Sequence, residues 1–175
     1  SSRSVQEFAQ PQATTKTATT DVNRVIADVV RRFRDSGLAP KTVTFQILTA
    51  GRPADTSCDD GAVRQSMMNL IKNAIEAMPR GGRLTYKTSK IETGEGPAIV
   101  ISIQDTGSGI RPEHLKNIFK PFYTTKESGV GLGLAICRRI IREHGGSIRV
   151  KSIAGQGSAF FIQLGAVDSI RYNPS

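Results

Sequence analysis

The chain has no tryptophan, only two cysteines and two histidines among 175 residues, and aromatic residues make up 6% of it. This scarcity limits the chemistry available. Cys58 and Cys137 show no metal-binding or redox spacing, and no Cys/His cluster or nucleophile–base constellation can be assembled. Cys137 falls on the apolar stripe of a predicted helix, as a small core residue, and so sparing a use of cysteine fits a reducing, cytoplasmic setting. No purely apolar run exceeds four residues, Ala98–Ile101 being one, whereas a membrane helix needs about 20. The N-terminus lacks the basic and apolar regions of a secretory signal. What is present, 38% apolar and 22% charged residues, is the profile of one globular domain with a proper core. The net charge is +9. The basic residues are scattered, with local groups at Arg31-Arg32-Phe33-Arg34 and Arg138-Arg139 and no aromatic-interleaved patch. A polyphosphate ligand or an acidic partner is therefore a better expectation than nucleic acid.

Residues 1–20 read as a linker. The stretch Pro11-Gln-Ala-Thr-Thr-Lys-Thr-Ala-Thr-Thr20 has little to bury, and Val5, Phe8 and Ala9 before it suit the end of a preceding helix. Asp21 can cap a helix with Val22, Val25, Ile26, Val29, Val30 and Phe33 on one face, ended by Gly37 and Pro40. Thr42 to Leu48 alternates as a strand, and Gly51-Arg-Pro53 turns the chain. A second helix is predicted from Asp59 or Asp60 to Pro79. Leu84–Ile91 and Ala98–Gln104 read as strands joined by a Gly-Glu-Gly loop. Pro112 opens a short helix through Ile118, and another helix runs from Gly131 to His144, closed by Gly145-Gly146. Two last strands, Ser147–Ser152 and Ser158–Leu164, flank Gly155-Gln-Gly157. Residues 167–175 read as a loose tail. With no regular βαβ alternation, the expected fold is α+β, a two-layer sandwich with a mixed sheet covered on one face by helices.

Three segments carry chemistry. At about 100° per residue, Asn69, Asn73 and Glu76 share one stripe of the second helix, away from its apolar face. That stripe is either a solvated face or a ligand set. Asparagine is a poor choice for a helix interior, and amide oxygens suit Mg²⁺ when phosphates and waters complete its octahedron. Asp105-Thr-Gly107-Ser-Gly109 follows a strongly apolar strand. An ionised Asp105 only accepts hydrogen bonds and could read a base amine, while glycines let a flat ring approach the backbone. The same four letters open the active-site turn of aspartic proteases. Here a helix follows instead of a strand, and a second such motif is lacking, so a dimer would have to supply the partner carboxylate. Gly129-Val-Gly131-Leu-Gly133 leads into an amphipathic helix whose first amides favour phosphate, although its spacing is neither that of a dinucleotide fold nor of a phosphate loop. Lys126, in the polar loop before it, is either a solvated lysine or a cation for phosphates. His114 is expected to be exposed, and His144 to serve a helix C-terminus.

In combination and order, these motifs resemble the ATPase and kinase superfamily of gyrase, Hsp90, sensor histidine kinases and MutL, the GHKL or Bergerat fold. Asn69-Leu-Ile-Lys-Asn73-Ala matches its N box and Asp105-Thr-Gly-Ser-Gly109-Ile its first glycine box. Phe119-Lys-Pro-Phe-Tyr123 matches the F box, Gly129-Val-Gly-Leu-Gly-Leu-Ala-Ile136 the second glycine box, and Gly155-Gln-Gly-Ser-Ala-Phe160 the last. The resemblance covers residues 21–166, and Phe-Tyr-Thr-Thr-Lys with a short lid looks like sensor histidine kinases of the nitrogen-regulation class. It implies an ATP-binding catalytic domain in which Asn73 binds Mg²⁺, Asp105 the adenine amine, and Gly107, Gly109 and Ile110 line the adenine pocket. Phe122, Thr124, Thr125 and Lys126 would flank the lid. Gly129, Val130, Gly131, Leu132, Gly133 and Leu134 would form its hinge and the phosphate-side helix start, and Ser158 would stand near the adenine. Asn69 and Lys126 are the catalytic candidates.

Two positions depart from the family. Glu76 replaces a common lysine or arginine, which leaves Lys126 to supply charge. Asn69 replaces the glutamate of the water-activating ATPases, so efficient hydrolysis is not expected. Neither histidine has the setting of a phospho-acceptor. The implied partners are therefore a histidine-containing dimerisation domain of the same protein and a response-regulator receiver domain, with no nucleic acid and no direct membrane contact. A free-standing serine kinase or anti-sigma factor of the same fold is the alternative within the superfamily.

Overall fold

The computed structural model describes residues 18–49, 54–123 and 133–167. Its elements run β1 (Ala18–Asp21), α1 (Val22–Asp35), β2 (Val43–Leu48), β3 (Asp55–Cys58), α2 (Asp60–Glu76), β4 (Gly82–Thr93), β5 (Gly96–Asp105), α3 (Pro112–Leu115), α4 (Gly133–Glu143), β6 (Ser147–Ile153) and β7 (Gly157–Gly165). Five strands form one mixed sheet in the order β2-β4-β5-β7-β6. Only β2 and β4 run parallel; the other neighbours are antiparallel. The fold is α+β, a mixed sheet with helices on one face.

The helices start and stop where local chemistry directs. The Asp21 carboxylate accepts from the N–H of Asn23 at 3.0 Å and also from that of Ala54 at 3.2 Å, so the cap of α1 ties down a distant loop. Asp59 caps α2 by accepting from Gly61 N–H. At the end of α4, Gly146 N–H reaches the Ile141 carbonyl and Gly145 N–H that of Arg142, the two bonds of a Schellman stop. His144 completes it, its Nδ1 donating to the Ile140 carbonyl and its Nε2 accepting from Asp59 N–H. Helix α2 ends at Glu76, short of the expected Pro79, because Ala77 and Met78 already turn.

The sheet buries its inner face against the helices. Along β5 and β7 the buried residues alternate strictly near the site end, Ile99, Ile101, Ile103 and Asp105 on one strand, Ser158, Phe160, Ile162 and Leu164 on the other. They meet Val25, Ile26, Val29, Met67, Leu70 and Ile71 from α1 and α2. Such a one-sided sheet is the common outcome for mostly antiparallel strands.

A second, two-stranded sheet was not expected. β1 and β3 pair antiparallel, so Ala18–Thr20 belongs to the fold and not to a linker. Threonine suits strands, and two of these threonines are buried because their hydroxyls find carbonyls. Thr20 donates to Cys58 at 2.9 Å and Thr56 to Gly165 at 2.7 Å. Polar composition alone hid them. Among the described residues no helix is long and apolar enough to cross a membrane.

Both thiols are fully buried. Burial lifts Cys137 from its ordinary 9.0 up to about 12, and it raises Cys58 too. A thiol whose pKa is raised on folding stabilises the native state below the unfolded pKa, and that contribution is lost as pH climbs from 9 towards 12. At pH 8 both thiols should therefore resist a chromogenic disulfide reagent in buffer and react rapidly in denaturant, and unfolding midpoints should fall above pH 9.

Candidate nucleotide-binding site

Asp105 ends β5 and is only 3% exposed. A buried carboxylate needs donors. One oxygen accepts from Gly107 N–H at 2.9 Å and from Ser158 N–H at 3.3 Å. The first bond closes the turn after β5, and the second crosses to β7. The crossing is close because Gly157 has no side chain: a Cβ there would stand 2.1 Å from the Asp105 carbonyl oxygen, at φ +132°.

The turn is then wedged between two other elements. A Cβ on Gly107 would lie 2.3 Å from the Ala77 carbonyl oxygen, which Ser108 N–H also bonds at 3.0 Å. The turn thus sits on the C-terminal end of α2. On its other side Gly109, at φ +69°, abuts the Ile153 carbonyl. Ser152 stitches this side together. Its hydroxyl accepts from Ile110 N–H at 2.7 Å, donates to the Gly157 carbonyl at 3.0 Å, and lies 2.8 Å from the Ser158 hydroxyl. Since Ser152 has only one proton to give, Ser158 is the donor between them.

Asn69 and Asn73 lie half-buried on α2, and Glu76 is exposed beyond them. The Asn69 amide donates to the Gly133 carbonyl at 3.2 Å, so the N box touches the first residue of α4. Leu134 packs against the core at that same start. Below the turn, Phe119 meets Phe160 edge to face at 6.2 Å and lies under Arg138. Phe122 is 71% exposed at φ +66°. His114, expected to be exposed, is half-buried because its Nδ1 bonds the Tyr123 hydroxyl. The structure therefore brings Asn69, Asn73, Asp105, Gly107, Gly109, Ile110, Gly133, Leu134 and Ser158 into the region bounded by α2, the β5 turn, β7 and the start of α4. Thr124, Thr125, Lys126, Gly129, Val130, Gly131 and Leu132 lie outside the described residues. Sequence reasoning missed Ser152, Ala77 and Thr106, whose hydroxyl accepts from Arg83 N–H at 3.0 Å. A serine at an inward position of β6 was the one signal available.

Among the described residues no group of three or more His, Cys, Asp or Glu side chains could hold a metal. A cation here would rest on amide oxygen and on oxygens its ligand brings, which is the donor set that Mg²⁺ accepts beside a polyphosphate.

Residues 58–167 match the family model described as histidine kinase-, DNA gyrase B- and HSP90-like ATPase. The chain is 39% identical to sporulation kinase C of Bacillus subtilis over 157 residues, covering 90% of this chain and 36% of that protein. It is 43% identical to the sensor histidine kinase ZraS of Salmonella typhi over 106 residues, which are 61% of this chain and 22% of that one. The chain thus spans about a third or less of these curated relatives. Among solved structures, the catalytic domain of histidine kinase ThkA superposes with a TM-score of 0.75 at 30% identity, covering 86% of this chain and 95% of that one. Full-length ShkA in complex with AMPPNP superposes with a TM-score of 0.80 at 25% identity, covering 94% of this chain and 34% of that one. The chain belongs to the histidine kinase-, gyrase B- and HSP90-like ATPase family. Within that family it is an ATP-binding catalytic domain of the sensor histidine kinase kind.

The β5–β7 junction gives a test of the geometry. Gly157→Ala meets both a backbone clash and a strained φ, and should lower stability by roughly 2–5 kcal/mol. Gly155→Ala, at φ +82° with nothing within 4 Å, carries strain alone and should cost about 1–2 kcal/mol. Urea unfolding of the two variants measures the difference.

Proposed function

We propose that this domain holds ATP with Mg²⁺ and presents its γ-phosphate to a histidine on a separate helical dimerisation domain of the same protein, for onward transfer to a response-regulator receiver domain. The observation that supports the reading is the Asn69–Gly133 bond together with the Ser108–Ala77 bond, which bring α2, the start of α4 and the Asp105 turn to one region. In this reading Asp105 accepts from the adenine amine, Gly107, Gly109 and Ile110 admit the ring, and Ser158 fixes Asp105 from behind. Asn73 gives its amide oxygen to Mg²⁺, which when bound neutralises phosphate charge. The start of α4 at Gly133 and Leu134, with Gly129 to Leu132 before it, cradles the phosphates, and Lys126 adds a cation. Phe122, Thr124 and Thr125 border the lid.

The histidine nitrogen forms a P–N bond as the bond from the γ-phosphorus to the β,γ-bridging oxygen breaks, and ADP leaves with that electron pair. Such a transfer depends mainly on positioning and charge neutralisation. Asn69 carries no base strong enough to activate water, which favours transfer over hydrolysis. The aspartic protease alternative loses its support because the Asp105 turn is followed by helix α3 and not by a strand, and because residues 58–167 match the ATPase family.

The adenine contact can be tested directly. Asp105→Asn keeps an oxygen acceptor for Gly107 and Ser158 but removes the charge. Losing a charged hydrogen bond costs roughly 1.5–3 kcal/mol, so ATP affinity should fall about ten- to a hundredfold with the fold retained. Calorimetry on the folded variant reads this, and unchanged affinity would remove Asp105 from the site.

A second measurement addresses the reaction itself. The chain alone should bind radiolabelled ATP without labelling itself and with slow hydrolysis. With its own dimerisation domain added as a separate polypeptide, an acid-labile, alkali-stable phosphohistidine should form on that partner. Rapid hydrolysis by the chain alone would move the assignment to an ATPase, and acid-stable label on a partner's serine to a serine kinase of the same fold.

A further inference from the structure

The outer face of the five-stranded sheet carries no described helix, and its composition is one-sided. The registers align its outward residues into rows across the sheet. One row reads Leu48, Lys87, Ser102, Phe161, Arg149 and the next Gln46, Thr85, Gln104, Ala159, Lys151. Thr44 and Arg83 follow on β2 and β4, and Ile153 and Gly157 on β6 and β7. A further row holds Ser89, Val100, Gln163 and Ser147. At no outward position of these strands does an aspartate or glutamate occur. Lys87, Arg83, Arg149 and Lys151 are all exposed.

The helical side offers a contrast. On α1 and α2, Arg24 and Arg64 pair with Asp60, and Arg31 and Arg64 with Asp28. Arg24, Arg31 and Arg64 there have carboxylate neighbours, while among the described residues the cations of the sheet face have none at the outward positions of its strands. Four of the charges behind the net +9 are therefore concentrated on one flat surface. With strands about 4.8 Å apart, Lys87 and Arg149 stand roughly 14 Å from each other across the sheet, and Lys87 and Arg83 roughly 13 Å along β4.

We propose that this sheet face docks an acidic protein surface, with Lys87, Arg83, Arg149 and Lys151 framing a centre of Ser102, Gln104 and the Phe161 ring. The dimensions, about 20 Å by 20 Å, suit a small and transient interface, in which complementary charge speeds encounter and sets the partner. Single-stranded nucleic acid fits less well. Sheet readers of RNA stack two or three bases on aromatics, and here the one outward aromatic, Phe161, lies under the Lys151 ammonium at 5.9 Å. A bilayer also fits less well, because the exposed Leu48 and Ile153 stand on the two opposite edge strands and form no common wedge. The inference does not depend on the nucleotide reading, since these side chains point away from Asp105 and α2.

The test is a titration of the isotopically labelled chain with poly-L-glutamate, followed by amide chemical shifts at low and at physiological salt. Shifts should centre on Lys87, Ser102, Phe161, Arg149 and Lys151, and should weaken with salt. The combined substitution Lys87→Ala, Arg149→Ala, Lys151→Ala should weaken binding at least tenfold while ATP affinity stays unchanged. Shifts centred on α1, or unchanged binding by the triple variant, would overturn the proposal. Tighter binding of a ten-nucleotide oligouridylate at the same residues would overturn it in favour of nucleic acid. Sedimentation with 70:30 phosphatidylcholine/phosphatidylserine vesicles, lost in the triple variant, would overturn it in favour of a membrane.

Discussion

The site depends on the close passage of β7 beside the end of β5. A buried carboxylate in an apolar sheet is costly unless backbone donors meet it, and Asp105 is met by two, from Gly107 and Ser158. The second donor is within reach only because Gly157 puts no Cβ between the strands. From that junction the rest follows by contact. The turn closed on Asp105 leans on the Ala77 carbonyl at the end of α2, and its far side is held by Ser152 through Ile110, Gly157 and Ser158. A change at Gly157 therefore propagates to the helix that carries Asn69 and Asn73 without touching either.

The two ends of α2 have different duties. Asp59 caps its start, and its own N–H is taken by His144 from the end of α4. The end of α2 receives the Asp105 turn, and Asn69 near its middle bonds the start of α4. Helix α4 is thus fastened to α2 at both of its ends, antiparallel in sense, by one histidine and one asparagine. The amphipathic stripe supplies the burial energy, while these polar contacts choose the register. A slide of α4 by one turn would keep much apolar contact and break both bonds, so they specify the arrangement more than they stabilise it.

Much of this was legible from residues alone because it rests on local rules. Asp21, Asp59, Gly37 and Gly145 mark helix ends through their own caps, and the apolar spacing of α1, α2 and α4 is read one turn at a time. Strands β4 to β7 show their alternation or apolar runs directly. What escaped was tertiary. β1 and β3 consist largely of polar residues, and Thr20 and Thr56 become core only because carbonyls from other strands meet their hydroxyls. Ala77 acts through its carbonyl, so no side-chain signal marks it. Ser152 looks like any strand serine until Ile110 and Gly157 are folded against it. His144 was placed at a helix terminus from Gly145-Gly146, but its bond to Asp59 needed the fold.

The pleat lets one strand serve two surfaces. On β5, Asp105 faces the helices and Gln104 the open side; on β7, Ser158 faces in and Ala159 out. The proposed nucleotide site and the proposed docking face are therefore separated by a single residue of backbone, and they differ in chemistry as their tasks require. The inner side is buried and holds the Asp105 carboxylate with fixed donors; the outer side is cationic, with no aspartate or glutamate at the outward positions of its strands. Any coupling between them has a short physical route. A partner drawn to Lys151 and Arg149 acts on β6 and β7, and β7 carries the Ser158 N–H that holds Asp105. A shift of β7 would alter that 3.3 Å bond directly, since its donor, the Ser158 N–H, lies on the strand itself.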